Sequence, residues 1–180
     1  MMRFESVHKT PTVRSEQIIL FRCSSQIFAI SSASVQEVRS VDSLAGLATE
    51  INVPGVRKVR HMLQRGERSI YVVNVALHFG LKPSPVALIF LLRKSRIALL
   101  LDGIEKMTTM TRLQAMPAAF CNEERDWYRG LTVLDQNVLP VLNPAGFLSP
   151  EELLQLDLAT EKDRQPVAAS PLAAEAGLVL

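Results

Sequence analysis

The side chains whose type and spacing could support catalysis are few in this chain. They are His8, His61 and His78, Cys23 and Cys121, and the acidic run Glu123, Glu124 and Asp126. Catalysis needs a nucleophile, a base or a metal held in a preorganised pocket. None of the three histidines has a second histidine or a carboxylate at a metal-binding interval such as HExxH, so each reads as a surface or core histidine. The two cysteines lie in unrelated contexts, which indicates neither a disulfide framework nor a four-ligand zinc site; they read as reduced structural thiols. The acidic run sits in a polar connector before Trp127 and reads as a solvated loop. No G-x-S-x-G elbow and no glycine-rich phosphate loop occurs, and there are only eight glycines. The expectation is a protein with no reaction, no cofactor and no metal, whose product is contact.

The other candidate chemistry is charge. Arg57, Lys58, Arg60, Arg65 and Arg68, with His61 among them, make a basic stretch over residues 57–68 that could contact phosphates, as a small β-barrel binding nucleic acid would. Against that reading, Glu67 interrupts the run and the formal net charge is only +2. Tyr71 is the sole nearby aromatic, so no row of stacking rings is available for single strands. Nucleic acid binding through residues 57–68 stands as the alternative function and is not the expected one.

The elements that must position these residues are mostly strands. With 48% apolar but only 6% aromatic residues, aliphatics must build the core. Residues 1–15 are polar and show no period, and read as a flexible arm. "QIILFRCSSQIFAI" gives two β-rich runs, Ile18 to Cys23 and Gln26 to Ile30, around a tight turn at Ser24 and Ser25. "SVQEVRSVD" fits either a helical turn, with Val35 and Val38 three apart, or a further strand. Ile70 to Val75 reads as a strand, and Gly80 stops a short helical turn over Ala76 to Phe79. "ALIFLLRKSRIALLLDGIEKM" is a hairpin apolar at consecutive positions, so both of its faces must be covered. Strand, tight turn, strand and a following segment occur here as they do at the start of the chain, a weak echo that suggests two stacked halves. "LTVLDQNVLPVLN" turns at Asp135 to Asn137, with Pro140 marking an edge position. "SPEELLQLDL" is a helix over 149–158, with Ser149 and Glu152 as a capping box, Pro150 in the first position, and Leu153, Leu154, Leu156 and Leu158 on an apolar side. A loose tail is expected over 159–180. No apolar run approaches the 20 or so residues of a bilayer span, and the N-terminus lacks a secretory apolar run, so the expectation is a cytoplasmic protein with no membrane insertion of its own.

Taken in order, "ILFRCSSQIFAI", "VQEVRSVD", "RGERSIYVVNVALHFGL", "IALLLDGIEKM", "YRGLTVLDQNVLPVLN" and "SPEELLQLD" resemble the CheW family of chemotaxis coupling proteins, from about Glu16 to Asp157. The resemblance implies a mainly β fold: two small packed β-barrels over 16–148 with a few short helices and the C-terminal helix. It also implies a non-catalytic adaptor joining the regulatory domain of a CheA-type histidine kinase to the cytoplasmic tip of a methyl-accepting receptor, recruited to membrane-bound receptor arrays.

On spacing alone Val35 and Val38 are core valines and Arg65 is a loop residue before Gly66. The resemblance instead places Val35, Glu37 and Val38 in a partner-binding surface, and Arg65 with Gly66 beside a receptor-contacting groove. Asp102 matches a family aspartate that fixes a turn. Two departures stand out. The residues before Arg65 are "RKVRHMLQ", with no glycine and several added charges, and Asn74 stands where an aspartate is common. Both imply an altered groove and a divergent pathway, such as one governing surface motility or development.

Overall fold

The computed structural model describes residues 15–82, 84–120 and 122–164. His8 and the N-terminal arm through residue 14, Cys121, and the tail from residue 165 lie outside the described residues. The strands are β1 (Glu16–Cys23), β2 (Gln26–Ser31), β3 (Val35–Ser40), β4 (Ala48–Glu50), β5 (Val59–Arg65), β6 (Arg68–Asn74), β7 (Leu88–Leu92), β8 (Ile97–Leu101), β9 (Gly103–Met110), β10 (Tyr128–Leu134) and β11 (Asn137–Leu142). The helices are α1 (Val75–His78), α2 (Asn122–Asp126) and α3 (Pro150–Arg164).

These strands form two sheets, a five-stranded one in the order β10-β11-β2-β1-β9 and a six-stranded one in the order β3-β7-β8-β6-β5-β4. The echo seen in the sequence is a reciprocal exchange of strands. The β1–β2 hairpin stays in the first sheet while β3 crosses to pair with β7; the β7–β8 hairpin stays in the second while β9 crosses back to pair with β1. The sheets are barrel-like without full closure. The five-stranded one is joined across its seam where Gln114 and Leu131 exchange two backbone hydrogen bonds of 2.8 Å and the Thr132 hydroxyl donates to the Arg112 carbonyl at 2.8 Å.

Each sheet has an apolar side of its own and shares another. Ile18, Leu20, Ala29, Met110 and Val141 pack together within the five-stranded sheet. Leu44, Leu63, Ile70, Val72, Ile89, Leu91 and Ala98 do so within the six-stranded one. The largest cluster lies between, drawing Ile19, Phe21, Phe28 and Ile30 from one sheet and Tyr71, Val73, Phe90 and Leu99 from the other. Phe21 meets Phe90 edge to face at 5.7 Å across it. This explains the β7–β8 hairpin: Phe90, Leu92, Leu99 and Leu101 face the shared core, and Ile89, Leu91 and Ala98 the inner one. Each such side chain, fully buried, stabilises by about 1.5–3 kcal/mol, so the run is apolar throughout.

Turn chemistry follows the sequence. Ser24 takes φ +56°, and Asp135 and Gln136 take φ +49° and +66° in a two-residue turn between β10 and β11, matching the twist of the strands they join. Asp102, at the β8–β9 junction, accepts from the Ser24 N–H and the Ser84 hydroxyl, both at 2.6 Å, and so fixes the first turn.

Of the two readings left open for "SVQEVRSVD", the strand holds: it is β3, with a bulge between Val35 and Glu37. Three readings need correction. The basic stretch is itself largely a strand, β5, because Val59, Met62 and Leu63 are buried while the charged positions stay out. Pro140 is not at an edge, since β11 lies between β10 and β2. It sits opposite Leu131, whose backbone N–H and C=O are both used by Gln114, so the β10–β11 ladder needs no donor there. Lastly, α3 runs to Arg164, and its apolar side is narrower than expected. Leu156 is buried and Leu153 partly so, whereas Leu154 and Leu158 are 60% and 51% exposed. The capping box is as read: the Ser149 N–H donates to the Glu152 carboxylate at 2.9 Å and the Glu152 N–H to the Ser149 hydroxyl at 3.1 Å. Helix formers Ala159, Glu161 and Lys162 carry it onward, with no proline before Pro166.

Candidate functional site

β3 is the outermost strand of the six-stranded sheet, so among the described residues one of its backbone edges pairs with no other strand. Such an edge is a template for a partner. The bulge after Val35 divides its side chains. Val35, 8% exposed, packs into the shared core, so its side chain is not on a contact surface: it anchors the strand that carries the others. Val38, opposite Phe90, is 41% exposed on the strand's outer flank. Glu37 and Arg39 point to the other side of the sheet, where the Arg39 Nε donates to the Glu37 carboxylate at 2.7 Å. That hydrogen bond holds the Glu37 carboxyl below the usual carboxylate range, and the charges of Arg39 and Arg65 add to the effect.

Arg65 arrives from elsewhere in the sheet. β5 and β6 form a hairpin whose two-residue turn begins at Gly66, with φ +61°, a conformation in which glycine avoids the Cβ penalty. The turn places Arg65 at the end of β5, and its Nη1 reaches the Gln36 Oε1 of β3 at 3.3 Å. The sheet therefore curls enough to bring its fifth strand to its first. Glu37 and Arg65 share one rim, with Gly66 in the turn below and Val38 on the far flank of the same edge strand.

Gln36 and Arg39 lie within the "VQEVR" piece but were not among the expected partner-binding residues. Arg39 was legible, two residues from Glu37 on the same strand face, once the segment is recognised as a strand. Gln36 was not, because only the bulge turns it toward Arg65.

The residues considered for chemistry are scattered. His61 is exposed on β5 at the mouth of an apolar cavity of about 410 Å³ lined by Leu44, Ala48, Val72, Ile89 and Leu100. His78 is enclosed by the rings of Trp127 and Phe147 at 4.4 and 4.2 Å, and burial pulls its pKa down to about 3. Burial pushes the Cys23 thiol up to about 12, which keeps it protonated. Glu123 and Asp126 line a separate cavity of about 330 Å³ beside the Lys58–Glu152 ion pair. Tyr71 is fully buried and its hydroxyl donates to Asp157 at 2.6 Å, so the one aromatic near the basic stretch offers no face to a nucleobase. Among the described residues no three His, Cys, Asp or Glu side chains gather where they could hold a metal ion, and no helix is long and apolar enough to cross a membrane.

The sequence matches the family model of the CheW-like domain over residues 17–152. No curated protein matches it. Among solved structures, the scaffolding protein TtCheW from Thermoanaerobacter tengcongensis superposes with a TM-score of 0.61 at 11% identity, covering 77% of this chain and 96% of that one. At that identity the likeness is one of fold.

Proposed function

Because the chain belongs to the CheW-like domain family, we propose that it is a non-catalytic chemosensory adaptor. It couples the regulatory domain of a CheA-type histidine kinase to the cytoplasmic tip of a methyl-accepting receptor in the cytoplasm, at membrane-bound receptor arrays. The observation that carries this reading is the meeting of Glu37, on the edge strand β3, with Arg65 and Gly66 at the tip of the β5–β6 hairpin, while Val38 stands exposed on the opposite flank of the same strand. The strand thus offers partners a polar side, at the Glu37–Arg39 pair, and an apolar one, at Val38. An adaptor transmits a signal by binding its partners differently in their different states, so no reacting group is required of it.

Isothermal titration calorimetry of the purified chain against the kinase regulatory domains and receptor fragments encoded beside it tests the proposal. Binding to one member of each class is expected, and heat from neither at concentrations of about 50 μM would remove it. Replacing Arg65 by Ala is expected to weaken receptor engagement while leaving the melting temperature within about 2 °C, since among the described residues its side chain makes one long hydrogen bond, to Gln36, and no ion pair. The reverse pattern would make Arg65 a structural residue.

A further inference from the structure

The β5–β6 hairpin ends on two arginines set directly opposite one another, Arg65 and Arg68. Like charges in a cross-strand pair are destabilising, so such a pair persists when something else neutralises it. Among the described residues no ion pair does: the charge of Glu37 acts on Arg65, but its carboxylate is taken by Arg39. Among the described residues neither arginine has a carboxylate within salt-bridge distance, and Glu67, in the turn between them, reaches neither. Arg22, Arg39 and Arg129 are matched with Glu105, Glu37 and Glu16, and although exposed Arg57, Arg60 and Arg112 also lack an ion pair among the described residues, none of them faces a second arginine across a strand pair. Gln36 holds Arg65 toward β3, and the Gln64 side-chain amide donates to the Gly66 carbonyl at 2.6 Å, which braces the turn.

We propose that the Arg65–Arg68 pair is a clamp for adjacent carboxylates on an acidic segment of a protein partner. Two guanidinium groups side by side each present a planar fork of donors that suits a carboxylate bidentately. Phosphate would satisfy the same forks, but a nucleic acid would bring a continuous polyanion past Glu37 and Glu67, and Tyr71, the aromatic nearest the basic stretch in sequence, is buried. The chemistry of the partner follows from the hairpin itself, and this inference rests on the adaptor reading only for the partner being a protein.

The test is an NMR titration of the isotopically labelled full chain with end-capped hexaglutamate. The Nε–Hε resonances of Arg65 and Arg68 are expected to move together, with an affinity that falls steeply between about 50 and 300 mM salt. Arg68→Gln is expected to weaken the peptide about fivefold while melting at or above the parent chain, because it relieves the repulsion. Arg65→Gln is expected to do the same to binding. Unmoved arginine resonances, undiminished binding by either variant, or a DNA oligonucleotide of equal charge bound more tightly through these arginines would overturn the proposal. A chain that takes hexaglutamate through this pair yet binds no receptor fragment keeps the clamp and loses the adaptor role.

Discussion

His78 makes the stability of this protein depend on pH. Its ring lies against Phe79, Trp127 and Phe147, with centroids at 4.7, 4.4 and 4.2 Å, and its Nε2 makes no hydrogen bond among the described residues. Burial, helped by the charge of Lys58, lowers its pKa from 6.5 to about 3. The folded protein therefore keeps the ring neutral between those values, whereas the unfolded chain takes up a proton. Because the unfolded state binds more protons there, stability is complete above pH 6.5 and is lost as pH falls toward 3. Linkage over that shift gives a loss of about 2 kcal/mol between about pH 7 and pH 5. With a urea dependence of about 2 kcal/mol per molar, the unfolding midpoint should drop by about 1 M. Glu16, Glu37 and Asp157, each held below the usual range by an arginine, release their contribution only at lower pH. In His78→Phe, which keeps a ring in the cage and removes the proton site, the midpoint should stay level across the same interval. A parallel drop in parent and variant would refute the reasoning, since some other group would then carry the dependence.

Three further expectations concern the frame that holds the rim. A Cβ at Gly130, whose φ is +153°, would lie 2.2 Å from the Gln114 carbonyl oxygen, so Gly130→Ala should break the seam of the five-stranded sheet and cost about 3 kcal/mol in chemical denaturation; a cost under about 0.5 kcal/mol would mean that the seam opens freely. Ser149→Ala removes one half of the capping box and should lower stability by about 1 kcal/mol; an unchanged midpoint would mean the cap is made by other groups. Asp157 accepts from Tyr71 and pairs with Arg96, fastening α3 to β6 and β8. With side-chain exposures of 35% and 41% for Asp157 and Arg96, water screens the pair, and Asp157→Asn should cost only about 1 kcal/mol. Amide exchange in α3 should rise with it, and unchanged protection there would show that Leu153 and Leu156 hold the helix alone.

What was legible in the sequence, and what was not, divides along physical lines. The turns at Ser24 and Asp135, the stop at Gly80 and the Ser149 box are local signals, each decided by residues within a few positions, whereas the two-part β fold was implied by the family resemblance. The two-faced apolarity of the β7–β8 hairpin was legible as well, because it is a statement about burial on each side of a strand. The strand identity of residues 59–65 was hidden by charge: exposed arginines on a strand look in sequence like a loop, and only their neighbours Val59, Met62 and Leu63 betray the core behind them. Leu154 and Leu158 misled in the opposite sense, since i, i+4 leucines imply a buried stripe whether or not anything covers it. The meeting of Arg65 with Gln36 and Glu37 depends on the curl of the sheet and on a single-residue bulge, both properties of strand pairing that have no local signature.

An adaptor role requires this chain to join two proteins at once. Sedimentation velocity of the full chain mixed with a kinase regulatory domain and a receptor cytoplasmic fragment, each at about 50 μM, should show one boundary faster than any pairwise mixture and containing all three. Three components that sediment as they do alone, with no shared boundary in any pairing, would contradict it.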